Sequence, residues 1–123
     1  MSKPEHFEEV EDIAIRRLSG EVSLSEMVEM VTSAIAAAHE QRIPKLMVVA
    51  HSLTGFAPPR IGRRYVFIRE WARAARGVRV ALVVRPEMID REKFGVTVAA
   101  NAGLVADVFS SEEEAIAWLR SIK

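Results

Sequence analysis

The chain has no cysteine among its 123 residues, which excludes disulfides, thiol nucleophiles and zinc sites built on thiolates. It also lacks net charge: seventeen Lys and Arg balance seventeen Asp and Glu, so no global field draws it onto nucleic acid or an anionic membrane. No apolar run approaches membrane-spanning length. The polar start Met1-Ser2-Lys3-Pro4-Glu5-His6 has no apolar signal-peptide core, and the expected location is cytoplasmic. There is no internal repeat and no low-complexity tract. G-x-x-x-x-G-K-[ST], G-x-G-x-x-G opening a helix after a strand, and the G-x-S-x-G elbow are all missing, which removes the common routes to nucleotide binding and serine hydrolysis. Histidines are few and scattered at His6, His39 and His51, so no metal site and no cofactor is expected.

What is present is the ordinary balance of a globular protein, half hydrophobic and 28% charged, at a length that suits one domain over residues 1–123. Leu46 to Ala50 is a continuous apolar run of strand length, the signature of a strand buried on both faces of a sheet. After it His51, Ser52, Thr54, Gly55, Pro58 and Pro59 read as a loop, and a helix resumes near Ile61. In an open α/β sheet the crevice at the carboxyl end of such a strand is where ligands bind.

The remaining elements alternate. His6 to Val10 and Ile13 to Leu18 form two short strands around the turn pair Glu11-Asp12, the second near a sheet edge, and Ser19-Gly20-Glu21-Val22 ends it. Ser23 stands three residues before Glu26, the capping-box spacing, and opens a helix to about Gln41 with the apolar stripe Leu24, Met27, Val28, Val31, Ala34, Ile35 and Ala38. Ile43-Pro44 closes that helix. The second helix turns Ile61, Ile68, Trp71, Ala72 and Ala75 to the core, with Phe67 and Ala74 at its margins, and a basic stripe of Arg69, Arg73 and Arg76 elsewhere. Gly77 suits its left-handed end, Val78 to Val84 is a strand, and Arg85-Pro86-Glu87 breaks it. A helix over about 90–102, a stop at Gly103, a strand from Leu104 to Phe109 and a last helix from Glu112 to Ile122 follow. Ser110 and Ser111 stand before Glu113 and Glu114 at the capping spacing, and Ala115, Ile116 and Leu119 face inward. The expected fold is a single α/β domain with a four- or five-stranded mixed, mainly parallel sheet flanked by about four helices.

Two candidate groupings carry chemistry. His51 beside Ser52 resembles a base and a nucleophile, but neighbours on an extended segment point to opposite faces, so the expected roles are a strand-end histidine and a turn serine. Arg60, Arg63 and Arg64 surround the start of the second helix, where free backbone N–H groups and the helix dipole already favour an anion. They either clamp a carboxylate or phosphate, or form a solvated helix start paired with Glu87 or Asp90. The basic stripe is read as a solvated face, because Glu70 interrupts it and no aromatic interleaves it, so no nucleic-acid partner is expected.

The segments Leu18-Ser19-Gly20-Glu21-Val22-Ser23, Arg69-Glu70-Trp71-Ala72 and Ala106-Asp107-Val108-Phe109-Ser110-Ser111-Glu112-Glu113-Glu114-Ala115-Ile116-Ala117-Trp118-Leu119 give the chain a resemblance, over nearly its whole length in element order, to the STAS (anti-sigma-factor antagonist) domain. The resemblance extends to uncharacterised bacterial relatives classed as STAS-like or as lipid-transfer-like of the CRAL-TRIO type. It implies a non-enzymatic switch that docks onto a kinase or another regulator, some members binding small anions or nucleotides, controlled by phosphorylation of a Ser or Thr in an Asp-Ser-Ser/Thr-Gly turn at the start of the second helix. Here that turn reads Ala57-Pro58-Pro59-Arg60-Ile61-Gly62, and Ser52 and Thr54 are the nearest hydroxyls. The expected function is therefore a binding or regulatory module that takes a protein partner or small anion through His51, Ser52, Thr54, Gly55, Arg60, Arg63 and Arg64, with no turnover of its own. The alternative is a small enzyme using His51 and the three arginines on an anionic substrate. A homodimer formed through a sheet edge or exposed helix is also expected.

Overall fold

The computed structural model describes residues 7–57, 60–89 and 105–122. Its centre is the strand anticipated around Leu46, here β3 (Lys45–Thr54), with β2 (Ile13–Glu21) and β4 (Arg79–Val83) paired parallel on either side. A short β1 (Glu8–Val10) runs antiparallel outside β2, and β5 (Ala106–Phe109) lies parallel outside β4, giving one mixed sheet in the order β1-β2-β3-β4-β5. Three α-helices cover it among the described residues: α1 (Leu24–Glu40), α2 (Ile61–Ala75) and α3 (Glu112–Ser121). The further helix expected over 90–102, with its stop at Gly103, lies outside the described residues.

The continuous apolar reading of β3 has a simple cause. Leu46, Val48 and Ala50 pack with α1 and α2, whereas Met47 and Val49 pack with Ala115 and Leu119 of α3, so both faces of the strand are buried. Met27, Val31, Ala34, Ile35 and Ala38 deliver the buried stripe of α1, and Phe67, Ile68, Trp71 and Ala75 that of α2. Phe67 is thus a core residue rather than a marginal one, its ring centroid 4.7 Å from that of Trp71. The capping box at α1 forms in both directions: the Glu26 amide donates to Ser23 Oγ at 3.1 Å and the Ser23 amide to Glu26 Oε1 at 3.0 Å. At the end of α2 the left-handed cap is Arg76, with φ 35, and Gly77 follows with φ 99.

The largest departures from the expected strand boundaries are the ends of β2, at Glu21, and of β3, at Thr54, and they share one reason. Both β2 and β3 were expected to stop early, at Leu18 and Ala50, because Ser19-Gly20-Glu21 and His51-Ser52-Leu53-Thr54 are rich in turn formers. Instead the two segments pair with each other, Ser19 with Ser52, Gly20 with Leu53 and Glu21 with Thr54. Mutual backbone hydrogen bonding outweighs the weak strand preference of each segment alone. His51, Ser52 and Thr54 are therefore strand residues, and the loop begins at Gly55.

The sheet edge at β1 protects itself: it is three residues long and exposes Glu8 and Glu9, charges that discourage pairing with another chain. Lys45, only 8% exposed at the start of β3, places Nζ 3.2 Å from Asp12 Oδ2 in the β1–β2 turn.

A polar latch joins the two helices on one face. Trp71 Nε1 donates to Thr32 Oγ1 at 3.0 Å, and that hydroxyl donates to the Val28 carbonyl at 2.7 Å. Thr32→Val keeps the shape and leaves the indole N–H only its longer contact with the Val28 carbonyl, at 3.4 Å, so urea unfolding of this variant is expected to show a loss of about 0.5–1.5 kcal/mol. An unchanged midpoint would mean the latch contributes no stability.

Candidate functional site

At the carboxyl end of β3 the pairing with β2 slips. Arg17 is opposite Val49 and Ser19 opposite Ser52, so Ala50 and His51 together face Leu18 alone, a β-bulge. The slip is visible in the packing: Ala50 and Leu53, three residues apart, lie in the same core cluster as Leu18, which strict alternation forbids. Between them His51 and Ser52 are both exposed. The expectation that these neighbours point to opposite faces is corrected here, because the bulge absorbs one residue and brings Ser52 Oγ to 3.3 Å from His51 Nδ1.

The other ring nitrogen is met from a distant part of the chain. Ser111 caps α3, its Oγ accepting from the Glu114 amide at 3.4 Å, and Glu112 in the first turn places Oε2 3.6 Å from His51 Nε2. The same oxygen lies 2.8 Å from an Arg17 guanidinium nitrogen, whose Nε is 2.8 Å from Glu8 Oε2. One polar chain thus links β1, β2, β3 and α3. Hydrogen bonding to Arg17 is the main reason the Glu112 carboxyl is held below the usual carboxylate range, opposed by partial burial and helped by His51. The Arg17 guanidinium is in turn pushed up by its bonds to Glu112 and then Glu8.

Arg17 and Glu112 are the members of this site that sequence reasoning missed. They are 95 positions apart, and each had a sufficient local explanation, one as a strand residue and one as a helix-start acid. The available signal was the acidic first turn of α3, three glutamates following a strand end.

The second candidate grouping is placed differently. Arg60 is the N-cap of α2, extended and making no side-chain capping bond, and Arg63 is exposed in the first turn, which holds no acid. Among the described residues neither makes an ion pair. Glu87, one of their expected partners, pairs with Arg85 at 3.4 Å; the other, Asp90, and the side chain of Arg64 lie outside the described residues. Ser52 and His51 are joined to each other and, through the ring, to Glu112; no hydrogen bond among the described residues joins them to Arg60 or Arg63. Thr54 is exposed at the end of β3. No group of three or more His, Asp and Glu suited to a metal occurs among the described residues, and no described helix is long and apolar enough to cross a membrane.

Gly55 fixes where the loop departs. Its φ is +100, and a Cβ there would lie 2.6 Å from the Val22 carbonyl oxygen and 2.9 Å from Glu21 Cγ. The Val22 amide also donates to the Thr54 carbonyl at 2.8 Å, so the loop start and the entry to α1 are held in contact.

Gly55→Ala combines a left-handed conformation with a backbone collision and is expected to cost at least about 1–3 kcal/mol in a denaturant titration; a neutral result would show that the junction opens freely. Glu112→Gln tests the polar chain. A carboxyl that stays ionised further into acid when folded contributes fully above the ordinary value of 4.5 and loses that contribution as pH falls through its lower folded value. The stability gap between wild type and Glu112→Gln should therefore be present at neutral pH and close below that range. A gap that persists at the lowest pH would assign the effect to packing instead.

No protein-family model matches the chain, and no curated protein matches it. Among solved structures the chain is similar to the anti-sigma factor antagonist SpoIIAA in its unphosphorylated form, at 25% identity over 95% of this chain and 98% of that one, with a TM-score of 0.49.

Proposed function

We propose that this chain is a non-enzymatic binding or regulatory module of the STAS-like kind, docking an acidic protein surface or a small anion over residues 51–64. The observation that carries the reading is the start of α2. Arginines there have the wrong sign for the helix dipole, which favours anions at that end by about 0.3–1 kcal/mol per charge. Arg60 and Arg63 are exposed, the first turn holds no acid, no side chain caps it, and among the described residues neither arginine makes an ion pair, which favours an external anion there. The family resemblance of the sequence supports the same assignment.

Lipid transfer, the other implication of the resemblance, is less well supported. An open groove of about 280 Å³ between β2 and α1 is lined by Arg16, Glu26, Glu29 and Ser33 beside Leu18 and Met30, a polar lining that suits no acyl chain.

Trp71 on α2 provides a fluorescence signal for titration with inorganic phosphate, small carboxylates and acidic peptides. Two charge-assisted contacts at about 1.5–3 kcal/mol each make Arg60→Ala with Arg63→Ala weaken binding at least about tenfold, while Arg73→Ala in the last turn leaves it nearly unchanged. Equal losses in both variants would reduce the site to diffuse charge, and saturable binding untouched by the double variant would overturn the placement.

A further inference from the structure

A docking surface requires no nucleophile, yet the bulge in β3 assembles the parts of one. Ser52 Oγ lies 3.3 Å from His51 Nδ1, and the opposite ring nitrogen, Nε2, faces Glu112 Oε2 at 3.6 Å. This is the order hydroxyl, imidazole, carboxylate in which a base activates a nucleophile and an acid orients the base. We propose that Ser52 is an acyl-accepting nucleophile, with His51 as its general base and Glu112 as the residue that positions the imidazole, so that the chain is covalently acylated at Ser52 by activated acyl esters.

Three features support the assignment. A carboxylate facing Nε2 selects the tautomer that carries its proton there, which leaves Nδ1 as the acceptor for the Ser52 hydroxyl. Arg17, 2.8 Å from the same carboxylate oxygen, keeps Glu112 ionised and restrains it. The 3.6 Å gap to Nε2 is longer than a hydrogen bond, and it closes when the ring becomes cationic, since apparent catalytic contacts commonly tighten only during reaction. Ser52 itself is exposed, so a donor reaches it without any rearrangement of the core.

The step balances without a further reagent. Ser52 Oγ attacks the acyl carbon while its proton passes to His51 Nδ1, and the new ester bond forms as the bond to the departing alkoxide breaks. That alkoxide leaves with the proton from Nδ1, which returns the imidazole to its neutral form. Glu112 remains ionised throughout and stabilises the transient imidazolium.

The test is incubation of the full chain with p-nitrophenyl acetate, read by intact mass and peptide mapping. A single acetyl group on Ser52 is expected, absent in Ser52→Ala and retained in Ser25→Ala, a serine exposed on α1. His51→Gln, at an exposed position, should slow acetylation of Ser52 by about 10²-fold or more. Glu112→Gln should lower the rate while leaving Trp71 fluorescence native, and Glu112→Asp, which keeps the carboxylate, should restore part of it. Acetylation confined to lysines and the amino terminus, or Ser52 acetylation at the wild-type rate in His51→Gln, overturns the proposal. Anion titration of Arg60 and Arg63 variants reads a separate property, so failure of either idea leaves the other standing.

Discussion

Burial of β3 on both faces is the constraint from which the other features follow. A strand with Met47 and Val49 under one helix and Leu46, Val48 and Ala50 under two others cannot lie at an edge, so β2 and β4 must flank it in parallel and helices must cross above and below. The carboxyl end of that strand is where the dry interior gives way to solvent. There the side chains change from apolar to His51, Ser52 and Thr54 while the backbone ladder continues. The polar groups are held on rigid strand backbone rather than on a loop, which fixes their geometry more tightly than the sequence suggested.

Much of the fold was legible because it depends on local signals. The apolar run at Leu46, the Ser23–Glu26 spacing, the stripe of α1 and the capped acidic start of α3 each identify an element without reference to anything distant. The failures came where two segments decide each other's fate. Neither Ser19-Gly20-Glu21 nor His51-Ser52-Leu53-Thr54 reads as a strand, yet each supplies the hydrogen-bonding partner the other lacks. The bulge is equally hidden, since an extra residue in one strand can be recognised only against its neighbour, and it reversed the inference drawn from adjacency of His51 and Ser52. Glu112 and Arg17 were missed for a related reason: their significance lies in a contact across the whole chain.

The site is also electrostatically divided. The group around His51 sets one guanidinium, Arg17, between two carboxylates, Glu8 and Glu112, so its charges are paired with one another but leave an acidic excess. The start of α2 carries arginines of one sign with no acid in its first turn. A zero net charge thus conceals a local acidic excess around Arg17 and, among the described residues, exposed arginines at the start of α2 that make no ion pair.

The contact at Gly55 has a mechanical meaning. Because its missing side chain lets the backbone rest against Val22, and Val22 is bonded to Thr54, the segment entering α2 is anchored at one end to the segment entering α1. Further along, Trp71 of α2 donates to Thr32 on α1. α1 and its entry segment are therefore tied to the α2 side twice, once at Gly55 before that helix begins and once at Trp71 within it.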